Sequence, residues 1–279
     1  MIPKIIHYCW FGKAPIPNEL QNYINQWKQI FPDFEIRQWD ETNFNIEKAP
    51  TFVKEAYSVK KYAFVADYVR MYALYHFGGV YMDTDICILQ RFDNLMEKRF
   101  FTAMEYHEDN VRILNLQNDL TKDGYRKNKN KIIYDICIES AFIASEREHP
   151  FIKDCLNYYI DKHFILPNGE FYDKIIVPVI MALCAEKYGF RYVNEFQELK
   201  EGIYLLPDEY ITAVHKKTNN TFALHMVKNS WANRTTTQKI YTYLASNKFI
   251  RTIYERLEKL SFFQYIFDLI QKFTWLRNR

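Results

Sequence analysis

The sequence predicts an α/β domain, a mixed sheet flanked by helices with a helical appendage at the C-terminus. Three observations predict it. The first forty residues run strand, helix, strand; a long apolar helix at 61–77 passes through two glycines into a short strand; and apolar runs with strand character return at 139–146 and 221–227. With 279 residues, 48% of them hydrophobic, the chain can bury one large core. Tyrosine and phenylalanine occur 22 times each against 7 glycines and 9 prolines, a composition rich in ring surface that excludes extensive disorder.

Residues 4–10 read as a short buried strand ending at Phe11-Gly12, and the turn-forming KAPIPNE behind it is a candidate ligand loop. Residues 20–30 carry helical spacing, and FEIRQWDE at 34–41 alternates as a strand does. In the helix at 61–77, Ala63, Val65, Ala66, Val69, Leu74 and Phe77 spread apolar surface around much of the circumference, which predicts burial on several sides. Asp67 and Arg70 lie three apart on one face, where they either pair with each other or jointly face a polar ligand. Gly78-Gly79 closes the helix, and 80–82 form a strand leading into Asp83-Thr84-Asp85 at the edge of a sheet. Residues 114–131, polar and rich in Asn and Lys, form a surface loop or a lid. Further on, 150–163 read as a helix, DKIIVPVIMALCAEKYG as a helix interrupted or kinked at Pro178, and TFALHMV at 221–227 as a late strand. The main domain is therefore drawn at 1–245 and a tail at 246–279. In the tail seven basic residues outnumber three acidic ones among many aromatics; such a segment either lies at a lipid headgroup boundary or packs on the domain as a helical hairpin.

Charge and cysteine usage narrow the function classes. A net charge of +3, from 37 basic and 34 acidic residues, gives no ground for a nucleic-acid partner. The five cysteines (Cys9, Cys87, Cys137, Cys155, Cys184) are dispersed and contain no CxxC, which excludes a disulfide framework and a structural zinc site and fits a reducing cytoplasm. Pro3 and His7 interrupt the apolar start, so no secretory signal is expected, and no apolar run is long enough to span a bilayer.

Chemistry concentrates in FGGVYMDTDICIL. Two unpaired carboxylates behind an apolar strand cost several kcal/mol to bury, so something must compensate them. If the segment is extended, Asp83 and Asp85 project to one side and Thr84 away. Two hard oxygen ligands there can hold Mn²⁺ or Mg²⁺ while leaving positions for water and a diphosphate.

The block FVADYVRMYALYHFGGVYMDTDI, with the opening IPKIIHYCWFG and the late LHMVKNSW, resembles glycosyltransferase family 32. These are the bacterial capsular and lipopolysaccharide enzymes with a DXD sugar-binding region, related to yeast initiating mannosyltransferases and to the glucosylating domains of large clostridial toxins. The resemblance is dense over 1–115 and returns at 221–234. It implies a GT-A fold, a nucleotide-sugar donor, a divalent cation and retention of configuration. Carried over by position, Trp10 stacks on uracil or is an ordinary core tryptophan; Asp67 and Arg70 hold sugar hydroxyls; Tyr81 orients the donor. Asp83 lies near ribose and metal, and Asp85 binds the metal. His225, Ser230 and Trp231 complete the metal and diphosphate site, with a satisfied core histidine as the other reading of His225. UDP is expected over GDP from the toxin-like and bacterial resemblance, and a lipid-linked oligosaccharide acceptor from the polysaccharide context, with the tail on an anionic inner membrane leaflet. Two rivals stand beside this: a non-catalytic nucleotide-sugar or glycan-binding protein, and a DxDxT phosphatase, which Cys87 disfavours by occupying the threonine position.

Overall fold

The computed structural model describes residues 1–226, which belong to one compact unit, Met1–Lys228. The boundary expected at 245/246, the basic aromatic tail, Ser230 and Trp231 lie outside the described residues.

The opening strand, helix and strand are β1 (Ile5–Cys9), α1 (Asn18–Ile30) and β2 (Glu35–Trp39). Next come α2 (Thr51–Ser58), α3 (Tyr62–Phe77), β3 (Gly79–Met82), β4 (Ile86–Ile88), β5 (Phe100–Tyr106) and α4 (Glu108–Ile113). The second half holds β6 (Ile136–Ile138), β7 (Phe142–Ser145), α5 (Pro150–Asn157), α6 (Val177–Ala185), β8 (Gln197–Leu199), β9 (Ile203–Leu206), β10 (Ile211–Thr212) and β11 (Ala223–His225). The main sheet runs β2-β1-β3-β7-β5-β9-β8, with β6 as an eighth strand on β5, and a small sheet is ordered β10-β11-β4. β2, β1 and β3 are parallel, β7 runs against both β3 and β5, and β9 is parallel to β5. The carboxyl ends of β2, β1, β3, β5 and β9 therefore open on one rim, where α/β sheets of this kind bind ligands.

One hydrophobic core lies on each face of the main sheet. Phe52 of α2, Val65 and Val69 of α3, Phe151 of α5 and Ile180 of α6 share a core with Tyr81. On the other face, Ile24 and Trp27 of α1 pack with Val80, Met82, Ile86 and Ala223. Alternate residues of β3 thus feed opposite cores, as a pleated strand requires. Trp27 Nε1 donates to the Ile86 carbonyl at 2.9 Å and fixes α1 against the strand that follows the aspartates.

α3 explains how the chain enters the rim. Phe64, Val65, Val69, Met71, Ala73 and Leu74 are buried around the helix, as its sequence predicts. Gly78 stops it at φ +63°, and Gly79 at φ +105° brings β3 so close to β1 that an added Cβ would sit 2.5 Å from the Ile5 carbonyl oxygen.

β3 lies inside the sheet between β1 and β7, so the aspartates sit at the carboxyl end of a central strand, on the ligand-binding rim that the sequence points to. Two helix expectations are corrected. Pro178 does not kink a helix: α6 begins at Val177, so the proline stands in the first turn, where its missing N–H has no partner to lose. The helix expected over 150–163 ends at Asn157 and gives way to turns. The 114–131 segment is largely exposed, as the surface-loop reading expects, and buried Arg126 anchors it by donating to the carbonyls of Lys129 and Lys131 and pairing with Glu186. Among the described residues no helix is long and apolar enough to cross a membrane, and the cysteines there are free thiols.

Candidate functional site

β3 delivers Tyr81 and Asp83 to the α3 face, and the Tyr81 hydroxyl donates to Asp83 Oδ1 at 2.7 Å. Beyond Met82 the chain turns at once. The Ile86 N–H donates to the Asp83 carbonyl at 3.0 Å, so 83–85 is a tight turn and not the extended segment expected. The alternation argument for the two carboxylates therefore fails, yet they converge, because the turn closes against β11. Antiparallel pairing sets His225 opposite Ile86, and the Met226 N–H donates to the Asp85 carbonyl at 3.1 Å. One ligand atom each from Asp83, Asp85 and His225 lies within 4.8 Å of the others.

α3 adds the charges beneath this cluster. Arg70 Nη2 lies 2.8 Å from Asp67 Oδ1 and 3.6 Å from Asp83 Oδ1, Nη1 donates to the Ser140 carbonyl at 2.7 Å, and the guanidinium sits 4.7 Å over the Tyr81 ring. Asp67 and Arg70 thus pair with each other, and Arg70 also reaches the aspartate turn. Both are buried, at 8% and 5% exposure. Burial pushes the Asp67 carboxyl up to about 6, with Arg70 opposing and Asp83 adding to the rise. Burial also raises Asp83, again against Arg70 and with the charge of Asp85. For Arg70 burial works against the charge, but Asp83, Tyr81 and Asp67 more than restore it.

Glu139, which the sequence reading placed inside a plain strand, belongs to this site. It lies in the 139–141 segment between β6 and β7, is 7% exposed, and has Oε2 3.9 Å from His225 Nδ1. Ala141 from the same segment accepts the Asp83 N–H at 2.8 Å. His225 Nε2 faces Asp85 Oδ1 at 3.6 Å. Burial disfavours the charged imidazole, yet Glu139, Asp85 and Asp83 lift it to about 9, so an acidic ring surrounds it. A cation in the cluster would take over that compensating role.

Trp10 stands at the carboxyl end of β1, next to β3, half-buried; its N–H donates to the Trp39 carbonyl at 2.9 Å and its indole Nε1 to Ala14 at 2.6 Å. It is not a core residue, so a ring face is available at the rim. A cavity of about 500 Å³ opens on this side, lined by Lys13, Glu41, Phe44 and Tyr57 among others, and none of the aspartates reaches it. Of the residues expected at the site, the structure brings Asp67, Arg70, Tyr81, Asp83, Asp85 and His225 into one connected group and sets Trp10 at the neighbouring strand end.

Residues 17–102 match the glycosyltransferase sugar-binding region containing DXD motif. That stretch carries Asp67, Arg70, Tyr81, Asp83 and Asp85. Over 112 residues the chain is 33% identical to inositol phosphoceramide mannosyltransferase 1 of Schizosaccharomyces pombe, covering 36% of this chain and 33% of that protein. It is 37% identical over 111 residues to an uncharacterized glycosyltransferase of Acanthamoeba polyphaga mimivirus, covering 37% of this chain and 43% of that one. The chain thus spans well under half the length of these curated relatives. Among solved structures, PaToxG glycosyltransferase aligns with a TM-score of 0.44 at 16% identity, covering 67% of this chain and 69% of that one. Galactosyltransferase LgtC, in complex with donor and acceptor sugar analogs, aligns with a TM-score of 0.40 at 12% identity, covering 86% and 95%.

The donor set fits a divalent cation. Two carboxylates and one imidazole supply three ligands, a mixed oxygen and nitrogen set that can hold a divalent cation and leave positions open.

Proposed function

We propose that this protein is a metal-dependent glycosyltransferase that moves a hexose or N-acetylhexosamine from a UDP-sugar to a saccharide acceptor with retention of configuration. The observation that carries the reading is the convergence of Asp83, Asp85 and His225 within 4.8 Å at the carboxyl end of a central strand, with Arg70 of the buried Asp67–Arg70 pair 3.6 Å from Asp83. Asp83, Asp85 and His225 would hold the cation, which when bound supplies charge to offset the leaving diphosphate. Arg70 holds the Asp67 carboxylate in place, so that Asp67 can accept a hydrogen bond from a sugar hydroxyl while Arg70 keeps Asp83 oriented. Tyr81, 1% exposed, acts on the donor through Asp83 and not by contact. Trp10 offers a ring face for the base, and Ser230 and Trp231 are assigned to the diphosphate from the sequence pattern.

A cytoplasmic role in bacterial surface-polysaccharide assembly, with a lipid-linked acceptor and residues 246–279 against an anionic membrane, belongs to the same proposal. Since two of the relatives are named mannosyltransferases, the test is hydrolysis of a panel of UDP- and GDP-sugars with Mn²⁺, Mg²⁺ or EDTA, alongside Asp85→Ala. Metal-dependent release of one nucleotide, abolished in the variant, is expected. Metal-independent nucleotide binding with no turnover on any acceptor would overturn the enzyme assignment in favour of a binding protein.

A further inference from the structure

The strand opposite β5 is broken in an unusual way. Ile138 of β6 pairs with Met104 and Ala144 of β7 pairs with Phe101, so five residues, 139–143, stand opposite two, Thr102 and Ala103. The excess makes a large special bulge, and bulges re-aim side chains beside functional sites. Thr102 secures it through its hydroxyl, whose single hydrogen is shared between the Phe142 carbonyl, at 2.6 Å, and the Glu139 carbonyl, at 3.0 Å. The Glu139 N–H donates to the Ala103 carbonyl at 2.9 Å.

The bulge turns a carboxylate toward the site. Glu139 Oε1 accepts the Ala141 N–H at 2.6 Å, which locks the side chain and leaves Oε2 facing His225 Nδ1. The two ring nitrogens then look in different directions, Nδ1 to Glu139 and Nε2 to Asp85. An imidazole whose Nδ1–H points to a carboxylate carries its free lone pair on Nε2, the form a metal ligand needs.

Resting on the function proposed above, we infer that Glu139 is the positioning residue of the metal centre: it holds Nδ1 of His225 and so aims Nε2 at the Asp83/Asp85 pair. It touches neither cation nor donor. The competing role for this side chain is purely local, stapling the bulge through Ala141, and the two roles differ in whether they act through His225.

The test is Mn²⁺ binding to the full-length chain, read from the electron paramagnetic resonance signal of free Mn²⁺, in wild type, Glu139→Ala, His225→Ala and the double variant. Glu139→Ala is expected to weaken Mn²⁺ by roughly 10- to 100-fold, the range for loss of a carboxylate behind a ligating histidine. In the His225→Ala background the same change is expected to alter affinity by less than about 2-fold, as non-additivity within one coupled unit requires. Glu139→Gln, which keeps one acceptor oxygen where two donors, the Ala141 N–H and Nδ1–H, converge, is expected to recover only part of the affinity. Equal losses in both backgrounds, or no loss in either, overturn the inference while leaving the function standing. A wild type that binds no Mn²⁺ overturns both. Should Glu139→Ala not fold, ¹⁵N shifts of His225 in the wild type loaded with Zn²⁺ decide: ligation through Nε2 with Nδ1–H retained is expected, and ligation through Nδ1 refutes it.

Discussion

Replacing Arg70 by alanine removes the charge that keeps the buried Asp67 and the half-buried Asp83 carboxylates ionised. The side chains of Arg70 and Asp67 are 6% and 12% exposed, so this is a buried pair, and Asp83 at 3.6 Å shares the same guanidinium. Deleting one partner of a buried pair costs about 3–5 kcal/mol. The structure divides that figure. The hydrogen bond to the Ser140 carbonyl contributes about 1 kcal/mol, and stacking on Tyr81 adds about 0.5–1 kcal/mol. The remainder is electrostatic and has a ceiling, because a carboxylate can escape by taking a proton. Asp67 already titrates near 6, so at pH 7 its further penalty is limited to about 1.4 kcal/mol. In the variant both carboxyls have folded-state pKa values raised above the unfolded ones; their penalty is complete above the folded value and is relieved as pH falls through it. Urea unfolding at pH 8, 6.5 and 5 should therefore show a deficit against wild type of about 3–4 kcal/mol at the highest pH, shrinking to about 1–2 kcal/mol at the lowest. A deficit that is small throughout, or that does not change with pH, would refute the reasoning.

Other outcomes follow from the same geometry. His7 is buried between two partners: Trp39 Nε1 donates to its Nδ1 at 3.1 Å, so its Nε2–H donates to the Gly78 carbonyl at 2.7 Å and the ring is neutral. Burial pushes it down to about 4. Its contribution, about 3 kcal/mol, is present above pH 6.5 and lost between 6.5 and 4; a ring titration by NMR should give a midpoint near 4, and one near 6.5 would contradict the packing. Gly79→Ala, at φ +105° with only 2.5 Å to the Ile5 carbonyl, should lower stability by at least about 2 kcal/mol in thermal unfolding. Arg126→Ala should expose 121–131 to limited proteolysis while the rest of the domain resists, because Arg126 donates to carbonyls within that loop and pairs with Glu186. Deleting residues 248–279 should abolish binding to anionic liposomes; unchanged binding would remove the tail from any membrane role.

The parts of the fold that were legible share a physical cause. β1, α1, β2, α3 and β3 are specified by local signals: continuous apolar runs, helical spacing, and a glycine pair whose positive φ angles only glycine adopts readily. Asp83 and Asp85 were visible because charge behind an apolar strand is costly, and His225 because its pattern matched a known motif. The turn at 83–85 was misread as extended because its conformation is set by β4 pairing with β11, more than 130 residues away in sequence. Glu139 was missed for a related reason. ESAFIASE reads as one strand by hydrophobicity, whereas the bulge depends on Thr102 and on the register of β5. Pro178 illustrates the limit of a local rule, since proline breaks a helix only where turns precede it, and here none do. The polarity of 114–131 likewise concealed Arg126, whose burial depends on Glu186 in the turn after α6.

On the function proposed above, Asp83, Asp85 and His225 form the metal centre of the donor site. Crystals soaked with Mn²⁺ and UDP, measured at the manganese absorption edge, test it most directly. A single anomalous peak bounded by the two aspartates and His225 Nε2, with the diphosphate on its open side, is the predicted result. A peak elsewhere, or UDP bound without metal at the aspartate turn, would contradict the account.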